Sequence, residues 1–296
     1  YDVSGKGIII NTIYPWKDYI IATSDGGMLE TNYGTNKTIP AGETTDNKEL
    51  NVTSDKGYIV KYNRNGKIEK LLQIKGFDYG CDAHEDNDGN FIVLATGKQI
   101  EIPAENTINN EPINLEYNGT NSRTIILKLN KDLKVIWAKK IDGFSISFTT
   151  KNYIGENKVW NYIINFNGCV VNDLEIPGED TVNGEKISIQ KNNKYSVLVE
   201  YTKDGKINTV CKNSYYGMDN LVETSSGGYI ILSGDIYELD SKMDEVRQYS
   251  NNISGINSCS FYATKDEGFI MGGTLTSNNL TISGENTASG NPISVT

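Results

Sequence analysis

Tyr62-Asn63-Arg64-Asn65-Gly66-Lys67 lies between two apolar-rich runs, Tyr58-Ile59-Val60-Lys61 before it and Ile68 to Ile74 after it. An Asn with a Gly three residues on marks a tight reversal, because Gly takes positive φ without steric cost. Two β-rich runs joined by such a turn read as a hairpin. The element recurs along the chain. Its other copies are Tyr1-Asp2-Val3-Ser4-Gly5-Lys6, Leu129-Asn130-Lys131-Asp132-Leu133-Lys134, Tyr201-Thr202-Lys203-Asp204-Gly205-Lys206 and Leu239-Asp240-Ser241-Lys242-Met243-Asp244.

A second hairpin alternates with the first. Its turns are Asp25-Gly26-Gly27, Asp88-Gly89-Asn90, Ser226-Gly227-Gly228 and Asp266-Glu267-Gly268, each followed by an apolar run. The third unit lacks the Gly signature. Its turn is expected at Gly155-Glu156-Asn157-Lys158, with a strand from Val159 to Ile164. Between the two hairpins of most units stands a third element: Ile39-Pro40-Ala41-Gly42-Glu43-Thr44, Ile102-Pro103-Ala104-Glu105-Asn106-Thr107, Ile176-Pro177-Gly178-Glu179-Asp180-Thr181 and Ile282-Ser283-Gly284-Glu285-Asn286-Thr287. Pro keeps such segments out of a central strand, so they are expected as elaborated loops or small edge hairpins. The fourth unit has none.

Two hairpins per unit make four antiparallel strands, and no helical period appears. A sheet of that size cannot bury both faces alone, but neighbours stacked around an axis bury them for each other. The expected fold is all-β, a five-bladed β-propeller in one domain over residues 1–296. Blades one to four span 14–76, 77–143, 144–214 and 215–253. Residues 254–296 and the strand in 1–13 share the last blade, which removes the exposed edges. An open piece of a longer array is the rival architecture.

Composition narrows the function. The chain has 296 residues and a net charge of -10, with a pI near 4.8. Such a surface repels phosphate backbones, so no nucleic-acid partner is expected. No apolar run approaches the roughly 18 residues of a membrane span. Cys81, Cys169, Cys211 and Cys259 are scattered without a metal or redox spacing and are expected as buried thiols. The chain opens on Tyr1 with no leader-like segment. The expectation is a removed signal peptide or a piece of something longer.

The Asp-Gly-Gly turns, the Tyr-Asn-x-x-Gly-Lys hairpins and Val135-Ile136-Trp137-Ala138-Lys139 together resemble the β-propeller repeats of bacterial cell-surface proteins. The Ile-Pro-Ala-Glu-x-Thr insertion is similar to versions in large surface proteins of clostridia and related Gram-positive bacteria. The resemblance covers essentially the whole chain. It implies an extracellular, secreted or surface-attached, monomeric domain that binds or adheres and carries no assigned catalytic residues. The third unit departs from the turn motif, and Trp137 has no Trp counterpart in the other units.

Candidate site residues follow from topology. Connections from the fourth strand of one blade to the first of the next carry Tyr14 and Trp16, Phe77 and Tyr79, Phe144, and Tyr215 and Tyr216. On one face, Trp16, Phe77, Tyr79, Phe144, Tyr215 and Tyr216 would suit a glycan or a host or matrix protein, since rings give large contact at little entropic cost. The competing reading packs the same rings between blades. Asp86 and Asp88, preceded by Glu85, resemble half a calcium loop but lack its distal Glu, and a turn explains them as well. No other cofactor is expected. His84 is the sole His and has no nucleophile beside it in sequence, so it reads as a strand residue. Two alternatives to a binding module remain: a structural spacer in a long surface protein, and a propeller-fold glycoside hydrolase. The hydrolase would draw its carboxylates from Asp18, Asp82, Asp219 and Glu223.

Overall fold

The computed structural model describes residues 19–32, 36–53, 56–116, 123–141, 144–146, 153–170, 173–189, 196–211, 220–233, 235–249, 256–263, 269–275, 280–282, 289, 291 and 293–295. These residues form strands, turns and short 3-10 turns, with no α-helix among them. The chain divides into two compact units. The first holds Tyr1–Phe148, Val170–Asp180 and Gly184–Lys191; the second holds Thr149–Cys169, Thr181–Asn183 and Asn192–Thr296.

In the first unit, β1 (Tyr19–Ala22), β2 (Met28–Asn32), β3 (Lys37–Ile39), β4 (Leu50–Val52), β5 (Lys56–Tyr62) and β6 (Ile68–Glu85) are followed by β7 (Phe91–Ile102), β8 (Ile113–Leu115), β9 (Arg123–Leu129), β10 (Val135–Ile141) and β11 (Phe144–Ile146). One antiparallel sheet runs β1-β2-β5-β6-β7-β9-β10, with β8 paired to β7. It holds two successive four-stranded repeats. The sequence suggested a break between them after residue 76. Instead β6 continues through the joint, with register shifts at Lys75/Phe77, Phe77/Tyr79 and Gly80/Asp82. Gly76 permits this: its φ is +78° and its Cα faces the Lys98 carbonyl.

In the second unit, β12 (Tyr153–Glu156), β13 (Tyr162–Val170), β16 (Ser196–Tyr201) and β17 (Ile207–Val210) pair in that order as a third repeat. The hairpin β14 (Leu174–Ile176) and β15 (Ile187–Ile189) interrupts them in sequence and belongs mostly to the first unit. The fourth repeat is β18 (Asn220–Glu223), β19 (Tyr229–Ser233), β20 (Asp235–Leu239) and β21 (Glu245–Tyr249), in strand order. A further pair, β22 (Ile256–Ala263) with β23 (Phe269–Leu275), and a short one, β24 (Leu280–Ile282) with β25 (Ile293–Val295), follow.

Among the described residues, eight hairpins close with one geometry. The turns span residues 23–27, 63–67, 86–90, 130–134, 157–161, 202–206, 224–228 and 240–244. In each, the first N–H donates to the fifth carbonyl at 2.7–3.0 Å and the fourth N–H to the first carbonyl at 2.9–3.1 Å. The fourth residue takes positive φ. It is Gly26, Gly66, Gly89, Gly205 and Gly227 in five turns, and Leu133, Trp160 and Met243 in three. Burial offsets the strain at Leu133 and Met243, which are 2% and 1% exposed. The third repeat therefore turns at Asn157–Asn161, not at Gly155–Lys158, and its second strand starts at Tyr162. Val159 and Trp160 are turn residues, because Asn157 Oδ1 accepts the Val159 and Asn161 N–H groups at 3.2 and 2.9 Å.

The insertions seal the outer strands. Thr44, Thr107 and Thr181 make parallel bridges to Ile68, Val135 and Ile207, the first residues after the second turn of each repeat. The next N–H, at Thr45, Ile108 and Val182, donates to those same residues' carbonyls at 2.9–3.0 Å. Each Thr follows a 3-10 turn after Ile-Pro, and Thr44 and Thr107 Oγ1 bond the Ala41 and Ala104 carbonyls at 2.9 Å. Each insertion thus covers the start of its outer strand's free edge, where unpaired backbone groups would template another chain.

The cores follow strand alternation. In the first unit Leu29, Ile59, Leu72, Phe77, Phe91, Val93, Ile125 and Leu127 pack together; in the second Ile163, Leu198, Cys211, Leu221, Tyr229, Ile231, Leu239 and Met243 do. The run Ile92-Val93-Leu94-Ala95 is buried on both faces.

Candidate functional site

The first unit carries a cleft of about 480 Å³ where the second insertion meets the outer strands of the first repeat. One wall is Lys56, Leu71, Gln73 and Lys75; the other is Glu101, Pro103, Glu105, Asn106, Pro112 and Asn114, with Ile102 among them. Lys75 Nζ donates to Glu101 Oε1 across it at 2.8 Å. Gln73 ties the wall to the first insertion: its Nε2 donates to the Asn51 carbonyl at 2.8 Å and its Oε1 accepts the Thr53 N–H at 3.2 Å. Two cations, two carboxylates and three amides around a small apolar floor can bind a hydroxylated or peptide-like ligand by directed hydrogen bonds.

Below the turns, each repeat places a charged side chain one residue before the last of its third strand: Lys61, Lys128, Glu200 and Glu238. Lys61 is largely buried and pairs with Asp25 at 2.8 Å and Glu69 at 3.4 Å. The hydrogen bond from Lys61, with that from Thr23, lowers the Asp25 pKa from 3.8 to about 2. Burial alone would lower Lys61's own pKa, but Asp25 and Glu69 outweigh it and hold it raised. Since Asp25 titrates below its unfolded value of 3.8, the pair stabilises the fold fully above that pH and is lost as pH falls toward 2. Chemical denaturation at pH 5 and pH 2.5 should therefore show an acid loss that shrinks in Lys61→Met. An unchanged loss would remove the pair from the account.

Glu200 is the third repeat's counterpart, with the charge inverted. It is 4% exposed, and its Oε1 accepts Asn157 Nδ2 and Asn161 Nδ2 while Oε2 accepts Asn208 Nδ2, each at 2.8 Å. Asn157 Nδ2 also donates to the Tyr229 hydroxyl at 3.2 Å, which links the third repeat to the fourth.

A carboxylate clamps neighbouring repeats on the same side. The Ser24 N–H and Oγ donate to Glu85 at 2.5 and 2.7 Å, joining the first repeat's turn to the second repeat's first strand. The Lys158 N–H donates to Glu223 Oε2 at 2.8 Å in the same way, and Lys158 Nζ reaches the Thr224 carbonyl. Burial raises the Glu223 pKa in spite of that N–H. A Glu stands just before the first turn at residues 85, 156 and 223, against Ala at 22 and 263, but Glu156 pairs with Lys203 of its own repeat instead of a neighbour's turn.

The expected aromatic face divides. Phe77 is not a surface ring: it is 2% exposed, packs in the first unit's core and lies against Gly57. The cause is the joint at Gly76, after which the strand turns its first side chain inward. Tyr79 pairs by backbone with Thr96 in β6–β7, and Phe144 opens β11. Trp16, Tyr215 and Tyr216 lie outside the described residues, as do Tyr14, Asp18 and Asp219. Asp86 Oδ1 accepts the N–H groups of Asp88 and Asn90 at 2.9 and 2.7 Å, the role that amide oxygens play at Asn63, Asn130 and Asn157. No group of three His, Cys, Asp or Glu able to hold a metal occurs among the described residues. Asp82 is buried and accepts the Ala83 N–H at 2.8 Å; it belongs to the first unit, Glu223 to the second. His84 is a half-buried strand residue paired with Ile92, and Cys211 is a buried free thiol. No helix among the described residues is long and apolar enough to cross a membrane.

No family model matches the chain, and no curated protein matches it. Solved structures that resemble it include a protein of unknown function from Bacteroides caccae, at 13% identity, covering 78% of this chain and 80% of that one with a TM-score of 0.29. The Dos1 propeller matches at 10% identity over 90% and 82% of the two chains, with a TM-score of 0.34. BBS1N, solved in complex with ARL6DN, matches at 9% over 92% and 76%, with a TM-score of 0.35. At such scores none of them speaks to what this chain binds.

Proposed function

We propose that the chain is a non-catalytic binding module of a Gram-positive bacterial surface protein, folded as a five-bladed propeller with its last blade shared between residues 1–13 and 254–296. On this reading it sits outside the cell, secreted or surface-attached. It takes a glycan or a host or matrix protein as ligand and uses no cofactor. The supporting observation is the cleft of about 480 Å³ between an insertion and an otherwise regular sheet, lined by polar side chains that have no role in the hydrophobic core. Loops held on a rigid scaffold are where recognition residues collect. The repeated hairpins and the resemblance to surface-protein repeats support the same reading.

A glycan and matrix-protein array probed with the purified chain tests it. The expected result is binding to at least one ligand class, weakened about tenfold or more by Lys75→Ala with Glu101→Ala, by Trp16→Ala or by Tyr216→Ala. Lys75 and Glu101 are both half-exposed, so their removal leaves the fold intact. Silence across the array would favour the spacer reading. Binding untouched by every one of these changes would put the contact elsewhere.

A further inference from the structure

The turn Asn157–Asn161 differs from the other seven in what it shows to solvent. Its positive-φ position holds Trp160, at +64° and 52% exposed, and Val159 beside it is 69% exposed. A bulky side chain at positive φ is strained, and such strain persists where the surroundings hold it in place for another purpose. Leu133 and Met243 are buried at this position; Trp160 has no comparable burial.

The third repeat is rewired around this tip. In the first repeat the third turn residue, Asp25, holds the buried Lys61. In the third repeat that position is Val159, and the buried charge is Glu200, held instead by Asn157 and Asn161 at the ends of the turn. The side chains of Val159 and Trp160 at the tip are thereby left out of the contacts that hold the buried charge, while their backbone stays fixed. The Trp160 N–H donates to the Asn157 carbonyl at 2.9 Å, and Lys158 is tied to Glu223. Lys203 Nζ lies 5.9 Å from the indole centroid and is held by Glu156 at 3.4 Å.

We infer that Trp160 and Lys203 form a carbohydrate-binding site, in which a sugar ring lays its C–H face on the indole and Lys203 donates to a hydroxyl or carboxylate of the same sugar. The inference rests on the chain being a binding module, and it uses residues other than those of the cleft. Size favours a sugar over a protein surface. A stable protein interface needs roughly 800 Å² on each side, far more than two adjacent side chains at a turn tip present. One indole matches one sugar ring, and a preorganised ring binds with little entropic loss.

The test is a glycan array with the wild-type chain, Trp160→Gly, Trp160→Phe and Lys203→Met, together with their thermal midpoints. Trp160→Gly should weaken binding about tenfold or more. It should also raise the midpoint by about 2–4 °C, since Gly is the residue this backbone accepts without strain. Trp160→Phe should keep most of the binding, and Lys203→Met should weaken it while lowering the midpoint, because the buried Glu156 carboxylate loses its cation. A lowered midpoint in Trp160→Gly would mean that the ring is there for packing, and the proposal would fall. Glycan binding equal in wild type and Trp160→Gly would overturn this site and leave the module reading standing. If no glycan binds the wild-type chain, the site is refuted, and the module reading then stands or falls on the matrix-protein spots.

Discussion

Gly76→Ala should destabilise the first unit by about 3–4 kcal/mol, enough to lower its thermal midpoint by roughly 6–16 °C. Two effects add. At φ +78° an L side chain meets the left-handed penalty, about 1 kcal/mol relative to Gly. In addition, a Cβ there would stand 1.9 Å from the Lys98 carbonyl oxygen and 2.6 Å from that of Gln99. Both obstacles are backbone and cannot rotate away. Gly97 on the opposing strand is equally constrained, since its Cβ would stand 2.5 Å from the Gly76 carbonyl oxygen. Two backbones therefore touch at the joint between the first and second repeats. Gly89→Ala is the internal control: its φ is +75°, but nothing lies within 4 Å of the added carbon. It should lose only about 1 kcal/mol. Equal losses in the two variants, read by chemical denaturation, would show that the close approach is not structurally required. The joint also sets the cleft, because Lys75 precedes it and pairs with Glu101, so Gly76→Ala should weaken any ligand held there.

The hairpins were legible in sequence because their chemistry is local. An Asx or Thr opening the turn and a Gly three residues later need nothing from the rest of the molecule. The same reliance on Gly misplaced the third repeat's turn, where Trp160 stands in the Gly position. The Asn157…Asn161 frame, comparable with Asp86…Asn90, would have placed it. The Ile-Pro insertions were legible as edge elements, but not the bond each makes to its own repeat's outer strand, which runs from the N–H of the residue after the Thr to one carbonyl brought near by the fold. Phe77 looked like a surface ring because it follows a boundary. Whether it points in or out is set by the bulges and Gly76, which are properties of the paired strands rather than of the segment. Glu200 and its three amides were invisible for the same reason: Asn157, Asn161 and Asn208 are brought together by register alone.

Asn157→Asp should be as damaging as Asn157→Ala, although Asp opens two of the other described turns. Asp opens the turn at Asp86 and Asp240, where its oxygen accepts the same N–H groups that Asn157 Oδ1 accepts here. By local turn chemistry the change is neutral. The difference lies in the other half of the amide. Asn157 is 7% exposed, and its Nδ2 donates to Glu200 and to the Tyr229 hydroxyl. An aspartate would turn a donor toward Glu200 into a second carboxylate, in a pocket that already excludes water. Losing one buried charge-assisted hydrogen bond costs about 1.5–3 kcal/mol, and like charges add to it. We expect a loss of about 3 kcal/mol at neutral pH in the second unit. Asn157→Ala should reach a similar figure by another route, losing the turn acceptor as well as the donor. Acid separates the two variants. Protonating the introduced aspartate relieves the repulsion, so Asn157→Asp should recover relative to wild type in acid, whereas Asn157→Ala should not. In a Glu200→Gln background the added cost of Asn157→Asp should fall by at least about 1 kcal/mol, the coupling expected of groups in direct contact. If the cost of Asn157→Asp is the same at pH 4 and pH 7, and the same with Glu200 or Gln at position 200, the amide is not what holds that buried charge.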